Sequence, residues 1–244
     1  MIAFDRVVGG LEKKNKMTTE EERHSIALHE AGHATVSWFL QYANPLVKVT
    51  IVPRGKALGA AWYLPEERQI TTTQALRDQM CATLAGRAAE EVFLGRISTG
   101  AANDLEHTTK TAYAMVAYYG MSDKLPNVNY YDMQGDGYGL TKPYSDRTAE
   151  LIDEEAREIV RVEYERAKEL LREHAEGLKT LTQLLLDREV IYTEDVEHIF
   201  GKRPWVSRTD EMILEREEKN QEKEQGQEQE STTPTTDTEA TTNE

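Results

Sequence analysis

The chain has 244 residues, 39% of them hydrophobic, which is enough apolar material for one packed domain or two small ones. Its formal net charge is −15, but Asp210 to Glu244 hold 12 Asp/Glu against 3 Lys/Arg, so −9 belongs to that tail and −6 to the first 209 residues. With no basic face to neutralise phosphates, nucleic acid is excluded as the main partner. The single cysteine, Cys81, excludes an intramolecular disulfide and a thiolate zinc cluster. Any metal must therefore be held by His, Asp or Glu.

There is no charged leader followed by an apolar segment, and no run approaches the ~18 apolar residues of a membrane span. The chain as given is expected to be a soluble fragment. Residues 1–17, with Gly9-Gly10 and a basic cluster, read as a connector. Thr18 and Thr19 each precede a glutamate by three residues, a capping pattern that predicts a helix running through HEAGHATVSWF and stopping before Asn44-Pro45. Gly32 inside that helix costs about 1 kcal/mol relative to alanine, so a neighbour must hold the turn.

VKVTIVP (47–53) and GAAWYLP (59–65) predict a small β-element near residues 47–64. Apolar periodicity predicts a helix over 73–94 with Gly95 just past its end, and another from Asp104 to Tyr119 closed by Gly120. The Gly-rich, aromatic segment 121–144 reads as a long loop. A charged amphipathic helix is expected from Ser145 to His174, with shorter ones at 178–188 and 193–200. From about residue 205 the chain becomes an acidic, polar tail with too little apolar surface to offset its ordering entropy. The fold class is mainly α.

Chemistry concentrates in HEAGH, residues 29–33. Four residues apart on a helix, His29 and His33 project from one face and can grip one ion. Glu30 adjoins that face, where it can act as general base. Ala31 and Gly32 leave room for another element to approach. A catalytic zinc site takes three protein ligands, and the HExxHxxGxxH extension is absent, so the third must come from a distance. Asp104, in the turn opening the helix after STGAAN, is the first candidate, although its position equally suits a helix cap. His107, one turn on, and the adjacent Glu90 and Glu91 are alternatives. Such a glutamate pair is most often a solvated face, but one of them can orient a ligand histidine.

Taken in order, ERHSIALHEAGHA, VTIVPRG with LGAAWYLP, LAGRAAEEVFLG, STGAANDLEHTTKTAYAMV and YSDRTAELIDEE resemble the peptidase domain of the FtsH family of membrane-anchored, ATP-dependent zinc proteases, over residues 4–204. The resemblance implies a zinc peptidase domain over 18–204, binding one Zn²⁺ per chain through His29, His33 and Asp104. Glu30 becomes the catalytic glutamate, and Glu90 a group that supports a ligand histidine. It also implies cleavage of unfolded or misfolded polypeptides and a homo-hexamer. The family's membrane anchor and ATPase module precede this domain. No GxxxxGK[ST] phosphate loop occurs here, so ATP and the membrane are expected to enter only through absent upstream segments, with the domain on the cytoplasmic or mitochondrial-matrix-like side. Weak side-chain preference is expected, with substrate docking in extended form at the edge of the strand near 47–53. The competing reading is a helical assembly domain whose zinc is only structural.

Overall fold

The computed structural model describes residues 19–53, 58–66, 69–130 and 144–206. The connector 1–17, most of the expected tail and most of the long loop lie outside them.

Helix α1 (Glu20–Phe39) starts at a capping box: Thr19 Oγ1 accepts the Glu22 N–H at 3.1 Å, and the Glu22 carboxylate accepts the Thr19 N–H at 2.8 Å. It ends four residues short of the Asn44-Pro45 stop, because Leu40 turns extended. Arg203 Nη2 donates to the carbonyls of Leu40 and Ala43, and Asp78 Oδ2 accepts the Tyr42 N–H, so side chains satisfy backbone groups that further helical turns would have paired. Trp205, assigned to the tail by composition, donates its indole N–H to Phe39 O at 3.0 Å. Contact with α1 thus extends past residue 204.

Strand β1 (Leu46–Thr50) pairs antiparallel with β2 (Ala60–Tyr63), as the alternation predicts. A third strand, β3 (Val190–Tyr192), pairs antiparallel with the other side of β1, giving the order β2-β1-β3. This corrects the docking expectation: β1 is central, both its edges are used, and the strand at 47–53 cannot pair with a substrate. Among the described residues, the outer edges belong to β2 and β3.

Helix α2 (Thr73–Leu94) has the predicted bounds, with Gly95 in the left-handed conformation at φ 65°. A short 3₁₀ turn (Thr99–Ala101) leads directly into α3 (Ala102–Tyr113). The helix expected to continue to Tyr119 instead widens into a π turn over Ala114–Tyr118, where Tyr119 N–H reaches Ala114 O. The wider turn buries the adjacent Met115 and Val116 together. Helices α4 (Asp146–Glu173), α5 (Ala175–Arg188) and α6 (Thr193–Phe200) complete the unit. Among the described residues no helix is long and apolar enough to cross a membrane.

The main core joins Ala27, Ala31, Ala34 and Val36 of α1 to Cys81, Ala85, Ala88 and Ala89 of α2, Leu171 of α4 and Leu178, Leu181 and Leu185 of α5. Its α1–α2 seam is lined by small side chains, so the two helices approach closely. A β-carbon on Gly32 would lie 2.8 Å from both Ala85 O and Ala89 Cβ, so α2 is the neighbour that holds the Gly32 turn.

Candidate metal centre

Helix α1 presents His29 and His33 to α2 one turn apart, and the two rings meet edge to face with centroids 4.7 Å apart. The α2 side fixes both. His29 Nδ1 donates to Glu90 Oε1 at 2.7 Å, and His33 Nδ1 donates to Ala82 O at 2.9 Å. With each Nδ1 engaged as a donor, each Nε2 faces inward, where loss of its proton frees a lone pair for a cation.

The third member arrives from α3. Asp104 Oδ2 lies 3.3 Å from His29 Nε2 and 3.6 Å from His33 Nε2, and the two Nε2 atoms are 3.1 Å apart. Ligands around a tetrahedral zinc, at ~2.0–2.1 Å from it, stand about 3.3 Å from one another. The three donor atoms therefore form one face of a tetrahedron of zinc's size. Among the described residues this trio is the one cluster of His, Cys, Asp or Glu with ligand atoms mutually within 4.8 Å. Neither His107 nor Glu90 belongs to it. Asp104 is not the N-cap: it is the third residue of α3, and the N-cap residue Ala101 supplies no side-chain cap.

The electrostatics call for a cation at this face. Burial opposes charge on His29, but Asp104, Glu90 and Glu30 outweigh it and push the imidazole up to about 10. Burial also acts to raise Asp104, yet hydrogen bonds from His29 and His33 hold its carboxyl well below the ordinary range. Two imidazole nitrogens 3.1 Å apart, beside a carboxylate that stays ionised, suit a divalent ion between them. The donor set, two nitrogens and one oxygen, suits zinc and leaves a fourth position open.

Glu30 stands beside the trio and is buried; desolvation raises its pKa, with His33 and His29 opposing in part. Its carboxylate accepts a hydrogen bond from the backbone of Ala61 in β2. Gly59 lies against it so closely that a β-carbon there would be 2.7 Å from Oε1. Ser37 Oγ, on α1, donates to Tyr63 Oη at 3.1 Å and ties the other end of β2 to the same helix.

The glutamate pair of LAGRAAEE is split between the interior and an exposed face. Glu90 is buried against His29, while Glu91 accepts from Tyr164 Oη at 2.5 Å and Lys168 Nζ at 2.7 Å on α4. Gly59, Gly86 and Ser98 also stand at this centre and belong to no motif in the sequence. A glycine inside a helical pattern, as at Gly86, was the one signal on offer.

Residues 16–199 match the model of peptidase family M41. The chain belongs to that family. It is 70% identical over 219 residues to the ATP-dependent zinc metalloprotease FtsH of Parabacteroides distasonis, covering 90% of this chain and 32% of that protein. It is 52% identical over 206 residues to the mitochondrial ATP-dependent zinc metalloprotease FTSH 3 of Arabidopsis thaliana, covering 84% and 25%. To the mouse mitochondrial inner membrane m-AAA protease component AFG3L2 it is 44% identical over 208 residues, covering 85% and 26%. The chain thus spans a quarter to a third of the length of these relatives. The M41 match runs through α1, α2 and α3, the three helices that supply the trio, and two of these relatives are named as zinc metalloproteases.

Proposed function

We propose that this M41 chain is a zinc endopeptidase module in which His29 Nε2, His33 Nε2 and an Asp104 carboxylate oxygen hold one Zn²⁺ and Glu30 is the general base. The tetrahedral spacing of the three donor atoms is the observation that carries the reading. Bound zinc supplies Lewis-acid activation of a water and of the scissile carbonyl. Glu30 takes the proton of the attacking water and delivers it to the departing amine. Burial raises the Glu30 pKa, which suits a group that must both accept and return a proton near neutral pH. Gly59 and the Ala61 N–H hold the carboxylate in place, and Glu90 fixes the tautomer and orientation of His29.

The substrate is an unfolded polypeptide. Ala60–Tyr63 is an edge strand whose backbone already touches Glu30, so an extended peptide adding to its free side runs past the base. Backbone pairing leaves side-chain preference weak. The relatives are named as an ATP-dependent zinc metalloprotease and a mitochondrial inner membrane protease component, and this chain spans a quarter to a third of their length; we infer that it serves as the proteolytic part of a longer ATP-dependent, membrane-anchored, hexameric quality-control protease, with the domain on the cytoplasmic or matrix-like side. Residues 18–204 are its peptidase domain, 1–17 a connector from an ATPase module, and 205–244 an acidic tail.

Glu30→Gln tests the reading. It should keep zinc stoichiometry while peptide cleavage falls by about 10²–10⁴-fold, the usual contribution of a general base. Unchanged cleavage would rule out Glu30 as the base.

A further inference from the structure

Resting on the zinc-site reading above, we propose that Ser98 is a positioning residue of the metal centre, acting through Glu90 to hold the His29 imidazole and the Asp104 arm in one fixed arrangement. Ser98 lies in the short link between α2 and the turn that opens α3. It meets the Glu90 carboxylate twice: its N–H donates to Oε2 at 2.7 Å and its Oγ donates to Oε1 at 3.0 Å. The same Oε1 accepts from His29 Nδ1 at 2.7 Å. One buried carboxylate is therefore shared between a ligand on α1 and the chain leading to the ligand on α3.

The hydroxyl also has a role on its other side. Ser98 Oγ accepts the Gly100 N–H at 3.1 Å, capping the turn Thr99–Ala101. That turn runs into α3 with no irregular residue between them, and Asp104 follows in the first turn of the helix. A shift of Ser98 is thus passed to Asp104 through continuous helical backbone. Ala101, fully buried, closes the turn from beneath.

Removing Oγ strips Glu90 Oε1 of one of its two partners and leaves the Gly100 N–H without its acceptor. The carboxylate is then held to the link by the Ser98 N–H alone, and His29 and Asp104 lose the member that sets their mutual distance. Threonine keeps the hydroxyl in the same role. A group that acts through a ligand's hydrogen-bond partner typically changes metal affinity by 10–100-fold.

The test is zinc affinity of the full chain, measured by chelator competition, in Ser98→Ala, Ser98→Thr, Glu90→Gln and the Ser98→Ala/Glu90→Gln double variant, with Asp104→Asn as reference and melting of each metal-free protein alongside. The expected result is a loss of about tenfold or more in Ser98→Ala, recovery in Ser98→Thr, and less than about a twofold further loss when Ser98→Ala is added to Glu90→Gln. Unchanged affinity in Ser98→Ala, or an equal loss in both backgrounds, overturns the inference while leaving the zinc ligands intact. So does a loss of affinity matched by a large fall in the metal-free melting temperature, the mark of a structural role only. Full zinc retention by Asp104→Asn overturns the ligand assignment and this inference with it.

Discussion

Gly86 lies under the His29 imidazole so closely that a β-carbon at position 86 would stand 2.5 Å from Nε2. The ring is thus gripped between Glu90 at Nδ1 and the bare backbone of α2 at its inner edge. Gly86→Ala should displace Nε2 and weaken zinc binding by at least about tenfold, although alanine is the better helix former. Chelator competition checks this, and an affinity equal to wild type would show that α2 moves aside at no cost to the site.

Gly59 stands in the same relation to Glu30 that Gly86 has to His29, and the expected outcome is different in kind. Gly59→Ala pushes the carboxylate off its place beside β2 without touching a metal ligand. Zinc stoichiometry should stay at the wild-type value while kcat for a flexible peptide falls about 100-fold, the usual effect of misplacing a reacting group by about 1 Å. Loss of zinc in this variant would mean that Gly59 supports the histidines instead.

Asp104 and His107 sit one turn apart on α3, but only Asp104 reaches the two histidines. Asp104→Asn should lower zinc content and cleavage together, because a neutral amide is a poorer ligand, while His107→Ala should keep both. Metal analysis of the purified variants, paired with a peptide assay, separates them. The reverse pattern would move the third ligand to His107.

Away from the centre, Asp78 is buried on α2 and accepts from Gln74 Nε2 at 2.8 Å, Tyr42 N at 3.1 Å and Arg166 Nη1 at 2.8 Å. It ties the end of α1 and the middle of α4 to one helix. Asp78→Ala leaves the partly exposed Arg166 guanidinium and the Tyr42 amide without this acceptor, and should cost ~1.5–3 kcal/mol in urea unfolding. A cost below about 1 kcal/mol would show that Glu163, 3.2 Å from the same Arg166 Nη1, suffices alone.

Local signals made parts of this molecule readable in one dimension. The bounds of α2 follow from its apolar period and from Gly95, and the start of α1 from the Thr19–Glu22 reciprocity. HEAGH displays its two imidazoles through helical spacing alone. What could not be read depends on how elements meet. Strand β3 is three residues wedged between two helices, too short to show alternation, and it exists because β1 offers an edge. Glu90 and Glu91 look alike in sequence, and only the packing of α2 between α1 and α4 sends one to His29 and the other to Lys168. Asp104 is equally a cap and a ligand by local rule; only the tertiary packing brings its carboxylate to within 3.3 Å of His29 Nε2 and 3.6 Å of His33 Nε2. Ser98, Gly59 and Gly86 carry no motif of their own, since their roles are contacts across tens of residues.

His29, His33 and Asp104 are expected to hold one zinc ion between them. Anomalous scattering at the zinc edge from crystals of the zinc-loaded chain tests it most directly. The expected map has one peak per chain, at ~2.0–2.2 Å from His29 Nε2, His33 Nε2 and an Asp104 carboxylate oxygen, with Glu90 remaining on His29 Nδ1 and outside the coordination sphere. A peak ligated by Glu90 or His107 in place of Asp104, or no peak between the two histidines, would contradict it.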